Sequence, residues 1–127
     1  MSTKSILLVE DETNIALALE YLIGRKGYRL RHVSDGDAAI TALAEERPDL
    51  VVLDVMLPGR SGYEICQYIR NDAGLRDVKV LMMTARGGEV ERRKGLALGA
   101  DGFLTKPFAT TELTKEIAQL LGEAEHG

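Results

Sequence analysis

The sequence predicts an α/β fold, a parallel sheet with helices on both faces, and three observations carry that prediction. Short apolar runs alternate with stretches of helical spacing five times along the 127 residues. The run Leu50, Val51, Val52, Leu53 is apolar at every position, as in a strand covered on both sides. Strict strand-helix alternation also makes the connections crossovers, which are right-handed and leave the strands parallel.

Ser5 to Val9 reads as the first strand, ended by Glu10-Asp11-Glu12. Ile15, Leu19, Leu22 and Ile23 then recur at helical spacing as far as Gly27, a residue suited to a left-handed helix end. Tyr28 to Val33 alternates as a second strand, Ser34-Asp35-Gly36 is a turn, and Ala39, Ile40 and Leu43 mark a helix from Asp37 to about Glu46 that Pro48 closes. Leu50 to Leu53 is the third strand. Pro58-Gly59 opens a loop, and Tyr63, Ile65, Cys66 and Ile69 lie on the helix after Ser61. Val78 to Met83 is the fourth strand, followed by Thr84 and the loop Ala85-Arg86-Gly87-Gly88. A helix from about Glu89 to Leu98 ends at Gly99, a fifth strand covers about Gly102 to Thr105, and Leu113, Ile117, Leu120 and Leu121 stripe the last helix.

Composition excludes several classes. Acidic residues outnumber basic ones 20 to 16, a net charge of −4, so the fold has no overall positive field for nucleic acid. No apolar run approaches the roughly 20 residues of a membrane-spanning helix, and the start MSTKSILLVE has no signal-peptide pattern, which makes the cytoplasm the expected location. The single cysteine, Cys66, has no internal disulfide partner and is expected to be a small, half-buried helix residue. The run Arg92-Arg93-Lys94 is expected to be a solvated helix face.

In a parallel sheet the site forms where the strands' carboxyl ends emerge. The first polar residues there are Glu10 and Asp11, Asp54, Thr84 and Lys106. Three carboxylates, a hydroxyl and an ammonium therefore meet in one shallow cleft, which also explains why Asp54 follows an apolar strand: it stands at the rim. Clustered carboxylates repel, so such a site either raises a pKa or holds a cation. Oxygen donors without His or Cys favour Mg²⁺. With Lys106 and Thr84 opposite, the cleft suits a phosphoryl group in flight, and Asp54 is then a nucleophile able to form an acyl phosphate.

The motifs LLVEDE, VVLDVMLPGRSG, LMMTAR and GADGFLTKPF, in this order, resemble the receiver domains of response regulators in bacterial two-component systems. The resemblance covers residues 4 to about 121 and implies a flavodoxin-like, CheY-like (βα)5 fold with strand order 2-1-3-4-5. It implies one domain over residues 1–127, with no output domain in this chain. Asp54 would accept phosphate from a histidine kinase or histidine phosphotransfer protein. Glu10, Asp11, Asp54 and the backbone carbonyl of Met56 would hold Mg²⁺ or Mn²⁺, with Lys106 paired to the phosphate. The Lys106-Pro107 peptide would be cis. Thr84 and Phe103 would act as the switch, and Met56, Ala85 and Arg86 would flank the phosphate, with Met56 and Arg86 hindering water and slowing dephosphorylation. The output would be a changed surface of the fourth helix, fifth strand and last helix for an unknown protein target, in a monomer or a phosphorylation-dependent dimer.

Two departures distinguish the chain from receivers that carry winged-helix DNA-binding domains. Gly102 stands where those have an aspartate, and Glu116 where they have a basic residue, which removes groups used in interchain salt bridges of the active dimer. Among other classes, an aspartate-nucleophile phosphatase needs a second aspartate where Met56 stands, and neither GxxxxGK nor GxGxxG is present for nucleotide binding. The remaining alternative is a pseudo-receiver, an interaction module that is not phosphorylated. The complete set of acidic pair, Asp54, Thr84 and Lys106 weighs against it.

Overall fold

The computed structural model describes residues 3–85 and 88–122. The order is β1 (Ser5–Val9), α1 (Thr13–Arg25), β2 (Arg29–Val33), α2 (Gly36–Glu45), β3 (Leu50–Asp54), α3 (Gly62–Asn71), β4 (Lys79–Thr84), α4 (Glu89–Ala97), β5 (Gly102–Thr105) and α5 (Thr110–Leu120). The strands are all parallel in the order β2-β1-β3-β4-β5, as the resemblance implied. The chain thus starts near the middle of the sheet and winds outward both ways, so the order reverses between β1 and β3.

Alternation along each strand sorts the core into two layers. Leu7, Val9, Val51, Leu53, Val80 and Met82 face α2 and α3, while Ile6, Leu8, Leu50, Val52, Leu81 and Met83 face α1 and α5. β3 is buried throughout because it is covered on both faces and flanked on both edges. Local chemistry sets the helix starts. Asp35 accepts from Ala38 N–H at 2.7 Å, and Ser61 and Glu64 cap α3 reciprocally at 3.2 Å. Gly27 (φ 88°) and Gly99 (φ 110°) supply the left-handed turns after α1 and α4.

α4 is the least anchored helix. Its one buried residue is Gly95, where a Cβ would come within 2.9 Å of Met82 Sδ and 3.2 Å of the Phe103 ring. Arg92 and Arg93 pair with Glu89 on the exposed side, as a solvated face does, whereas Lys94 turns back over the Tyr63 ring at 4.5 Å from its centre.

Cys66 corrects the expectation of a half-buried side chain: it is 0% exposed, within the core cluster that α3 shares with the sheet. Helical spacing marks the face of a residue and not its depth, and this one belongs to the same buried cluster as Val80, Met82 and Ala100. Its Sγ–H donates to Leu98 O at 3.5 Å, and burial pushes the thiol pKa up. The native protein should therefore resist thiol-specific labelling at pH 8, reacting only as fast as it unfolds, while the urea-unfolded chain reacts at once. Rapid labelling without denaturant would contradict this burial.

Candidate functional site at the carboxyl edge of the sheet

The register places the site. β1 and β3 pair as Val9↔Leu53, so one step on Glu10 lies beside Asp54, and Asp54 in turn pairs with Met83 on β4. Thr84 pairs with Thr105, which puts Lys106 just beyond the end of β5. Residues far apart in sequence are thereby brought to one edge.

The site is more deeply set than a rim. Asp54 and Thr84 are the last residues of their strands and not the first of their loops; they are 6% and 2% exposed, and Glu10 is 1% exposed. Burying such carboxylates requires partners. Lys106 supplies one to both, its Nζ lying 2.9 Å from Glu10 Oε1 and 2.5 Å from Asp54 Oδ2. The other oxygens are also engaged, Asp54 Oδ1 by Met56 N–H at 2.9 Å and Glu10 Oε2 by Glu12 N–H at 3.1 Å. Burial alone would lower the Lys106 pKa, but the hydrogen bonds and charges of Asp54 and Glu10 outweigh it, and the pKa is raised.

The three carboxylates are not equally placed. The ammonium lies between Glu10 and Asp54, Asp11 is exposed, and among the described residues no three His, Cys, Asp or Glu side chains gather as a metal cluster. The physical reason is that a lysine within reach neutralises the pair from inside the protein. Nevertheless the donor types suit Mg²⁺, which keeps several waters and needs few protein ligands. The bond from Met56 N–H to Asp54 holds the Met56 main chain close to that carboxylate.

The other expected residues that are described lie as follows. The Met56 side chain is 73% exposed and Ala85 is exposed, both at the mouth; Arg86 lies outside the described residues, as does Gly87 of the same loop. Lys106-Pro107 is cis. Phe103 is half-buried against Gly95 of α4, on the opposite side of β5 from Leu104. The two departures from the winged-helix pattern meet in space: Glu116 Oε1 lies 2.9 Å from where a Cβ on Gly102 would be. Asp101, the residue before Gly102, is engaged within the chain by Arg70 Nη2 at 2.7 Å and Val80 N–H at 2.8 Å.

A model of the response regulator receiver domain matches residues 6–118. The chain belongs to that family. This receiver is similar in structure to the receiver domain of a signal transduction histidine kinase from Syntrophus aciditrophicus, at 31% identity and a TM-score of 0.88, covering 98% of this chain and 95% of that one. It is similar to the receiver domain of a sensor histidine kinase from Pseudomonas aeruginosa, described with a magnesium ion in its active site cleft, at 30% identity and a TM-score of 0.87, covering 96% and 100%. A chemotaxis response regulator from Vibrio cholerae matches at 26% identity and a TM-score of 0.88, covering 94% and 99%. The fold is that of CheY, and the module is one of two-component signalling. Among the described residues no helix is long and apolar enough to cross a membrane.

Sequence reasoning missed His32. Its ring touches the site through Glu10 O at 2.8 Å, yet it lies on β2. Only the parity of the β2 alternation, which puts His32 on the side of Leu30, could have suggested it.

Proposed function

We propose that this receiver is a phosphoacceptor in which Asp54 takes a phosphoryl group from the phosphohistidine of a histidine kinase or histidine phosphotransfer protein, with Mg²⁺ required. The observation that carries this reading is the Lys106 ammonium bound to Asp54 Oδ2 beside the buried Glu10, at the carboxyl edge of a parallel sheet. An Asp54 oxygen attacks phosphorus as the P–N bond breaks, the bonding pair returns to the imidazole nitrogen, and an acyl phosphate remains. Lys106 is within reach to follow the charge from the carboxylate to the phosphoryl oxygens. Met56 N–H keeps the other oxygen oriented.

Asp54 and the Met56 carbonyl would hold the metal, with Glu10 and Asp11 helping directly or through water. Bound there, Mg²⁺ (or Mn²⁺) supplies positive charge to the phosphoryl oxygens. Phosphorylation adds roughly −1.5 to −2 charges, enough to draw the Thr84 hydroxyl toward Asp54. Phe103 then changes its burial against Gly95, and the loosely held α4 carries the change to the α4, β5 and α5 surface. Glu116 and the internally paired Asp101 weigh against a salt-bridged dimer on that surface and favour a protein target.

Intact-protein mass spectrometry after incubation with acetyl phosphate and Mg²⁺ tests the reading. A gain of one phosphate, about 80 Da, is expected for the wild type and absent in Asp54→Asn and in EDTA. Unchanged mass, together with unchanged NMR spectra in beryllofluoride and Mg²⁺, would replace this reading with the pseudo-receiver.

A further inference from the structure

We infer that His32 is a positioning residue for the acidic pair that follows β1. β2 ends at Val33, and beyond that point Glu10 is tied to β2 in two ways. Its N–H donates to Val33 O at 3.1 Å, and its carbonyl oxygen lies 2.8 Å from His32 Nε2. A carbonyl can only accept, so the proton of this bond is on Nε2. On the other side of the ring, Glu20 of α1 presents Oε1 at 3.3 Å from Nδ1. The imidazole therefore continues the sheet's hydrogen bonding one residue past the strand.

All four polar groups of Glu10 are thereby engaged: N–H by Val33, C=O by His32, Oε1 by Lys106 and Oε2 by Glu12. The carbonyl that His32 holds belongs to the peptide joining Glu10 to Asp11. The plane of that peptide sets the direction in which Asp11 leaves the backbone. Asp11 is exposed, so its aim depends on its main chain more than on its own packing. Hydrogen bonds one step removed from a metal commonly change its affinity by about 10 to 100-fold when lost. His32 acts at such a remove, fixing the acidic pair without reaching the phosphoryl group.

This inference rests on the reading that Asp11 and its neighbours hold Mg²⁺, and the test separates the two. Mn²⁺ binding would be measured from the free-ion paramagnetic resonance signal, and Mg²⁺ binding by calorimetry, for wild type, His32→Leu and His32→Gln. Gln keeps an N–H donor at the reach of Nε2, whereas Leu keeps only bulk. His32→Leu is expected to weaken metal binding by roughly tenfold and His32→Gln to restore most of it. With acetyl phosphate, His32→Leu should need correspondingly more Mg²⁺ while reaching the wild-type rate at saturation. Urea unfolding of each variant checks that folding is intact. If His32→Leu binds Mn²⁺ as the wild type does, or if Gln is as impaired as Leu, the positioning role is wrong while the magnesium reading stands. If the wild type binds neither ion, the magnesium reading fails and this inference with it.

Discussion

Replacing Lys106 with methionine is expected to cost about 3 kcal/mol of folding stability in metal-free buffer, because removing one partner strands the others. Glu10 and Asp54 are almost wholly buried, and without the ammonium each would face only the other's charge and main-chain donors. Urea unfolding by circular dichroism measures the loss, and Mg²⁺ should recover part of it by replacing the missing charge. A loss below about 0.5 kcal/mol would mean that the pair is solvated like a surface salt bridge. The alkaline side has a definite sign. The Lys106 pKa is raised, so its stabilisation is complete below the unfolded lysine value of about 10.4 and is lost as the pH rises through the folded value. The difference between wild type and Lys106→Met should therefore be steady between about pH 8 and pH 10 and shrink above.

The second large effect is expected at Gly62, the first residue of α3. A Cβ there would lie 2.4 Å from Asp54 O, 2.6 Å from Leu53 Cδ1 and 2.9 Å from Val55 Cα. Two of these atoms are backbone, and that backbone cannot retreat: β3 is bonded to strands on both edges, and Gly62 N–H itself donates to Val55 O at 2.9 Å. Gly62→Ala should lose about 2–3 kcal/mol and also slow phosphorylation by acetyl phosphate, since the strain falls on the peptide that carries Asp54. Gly24→Ala is the matched control. In α1, with nothing within 4 Å of its Cβ, it should be neutral or gain up to about 1 kcal/mol. Equal effects at the two glycines would show that close packing of α3 on the end of β3 is unimportant.

Much of this architecture was legible because the periodicities are strong. β1 and β5 fall at the expected residues, and the other elements shift by a residue or two at their ends. β3 shows how a shift matters. The apolar run stops at Leu53, but hydrogen bonding continues through Asp54, because the ladder to β4 depends on backbone and not on side-chain polarity. Thr84 was set outside β4 for the same reason. The polar residues at the strand ends could be named from sequence, since parallel strands all finish on one edge. Their contacts could not. The depth of Cys66, the place of Lys106 between two carboxylates, the meeting of Gly102 with Glu116 and the reach of His32 to Glu10 all depend on elements distant in the chain.

By itself, then, the sequence determined the alternating α/β plan, the faces of its helices and the set of polar side chains that finish the strands on one edge. Each follows from local spacing and residue type, which one segment carries alone. Only the tertiary structure decided that the acidic pair is divided, with Glu10 turned inward to Lys106 and Asp11 left exposed. Consecutive residues past the end of a strand have no fixed period to share. Which one is buried is set by what the other strands bring to meet it: here an ammonium just beyond β5 and an imidazole from β2.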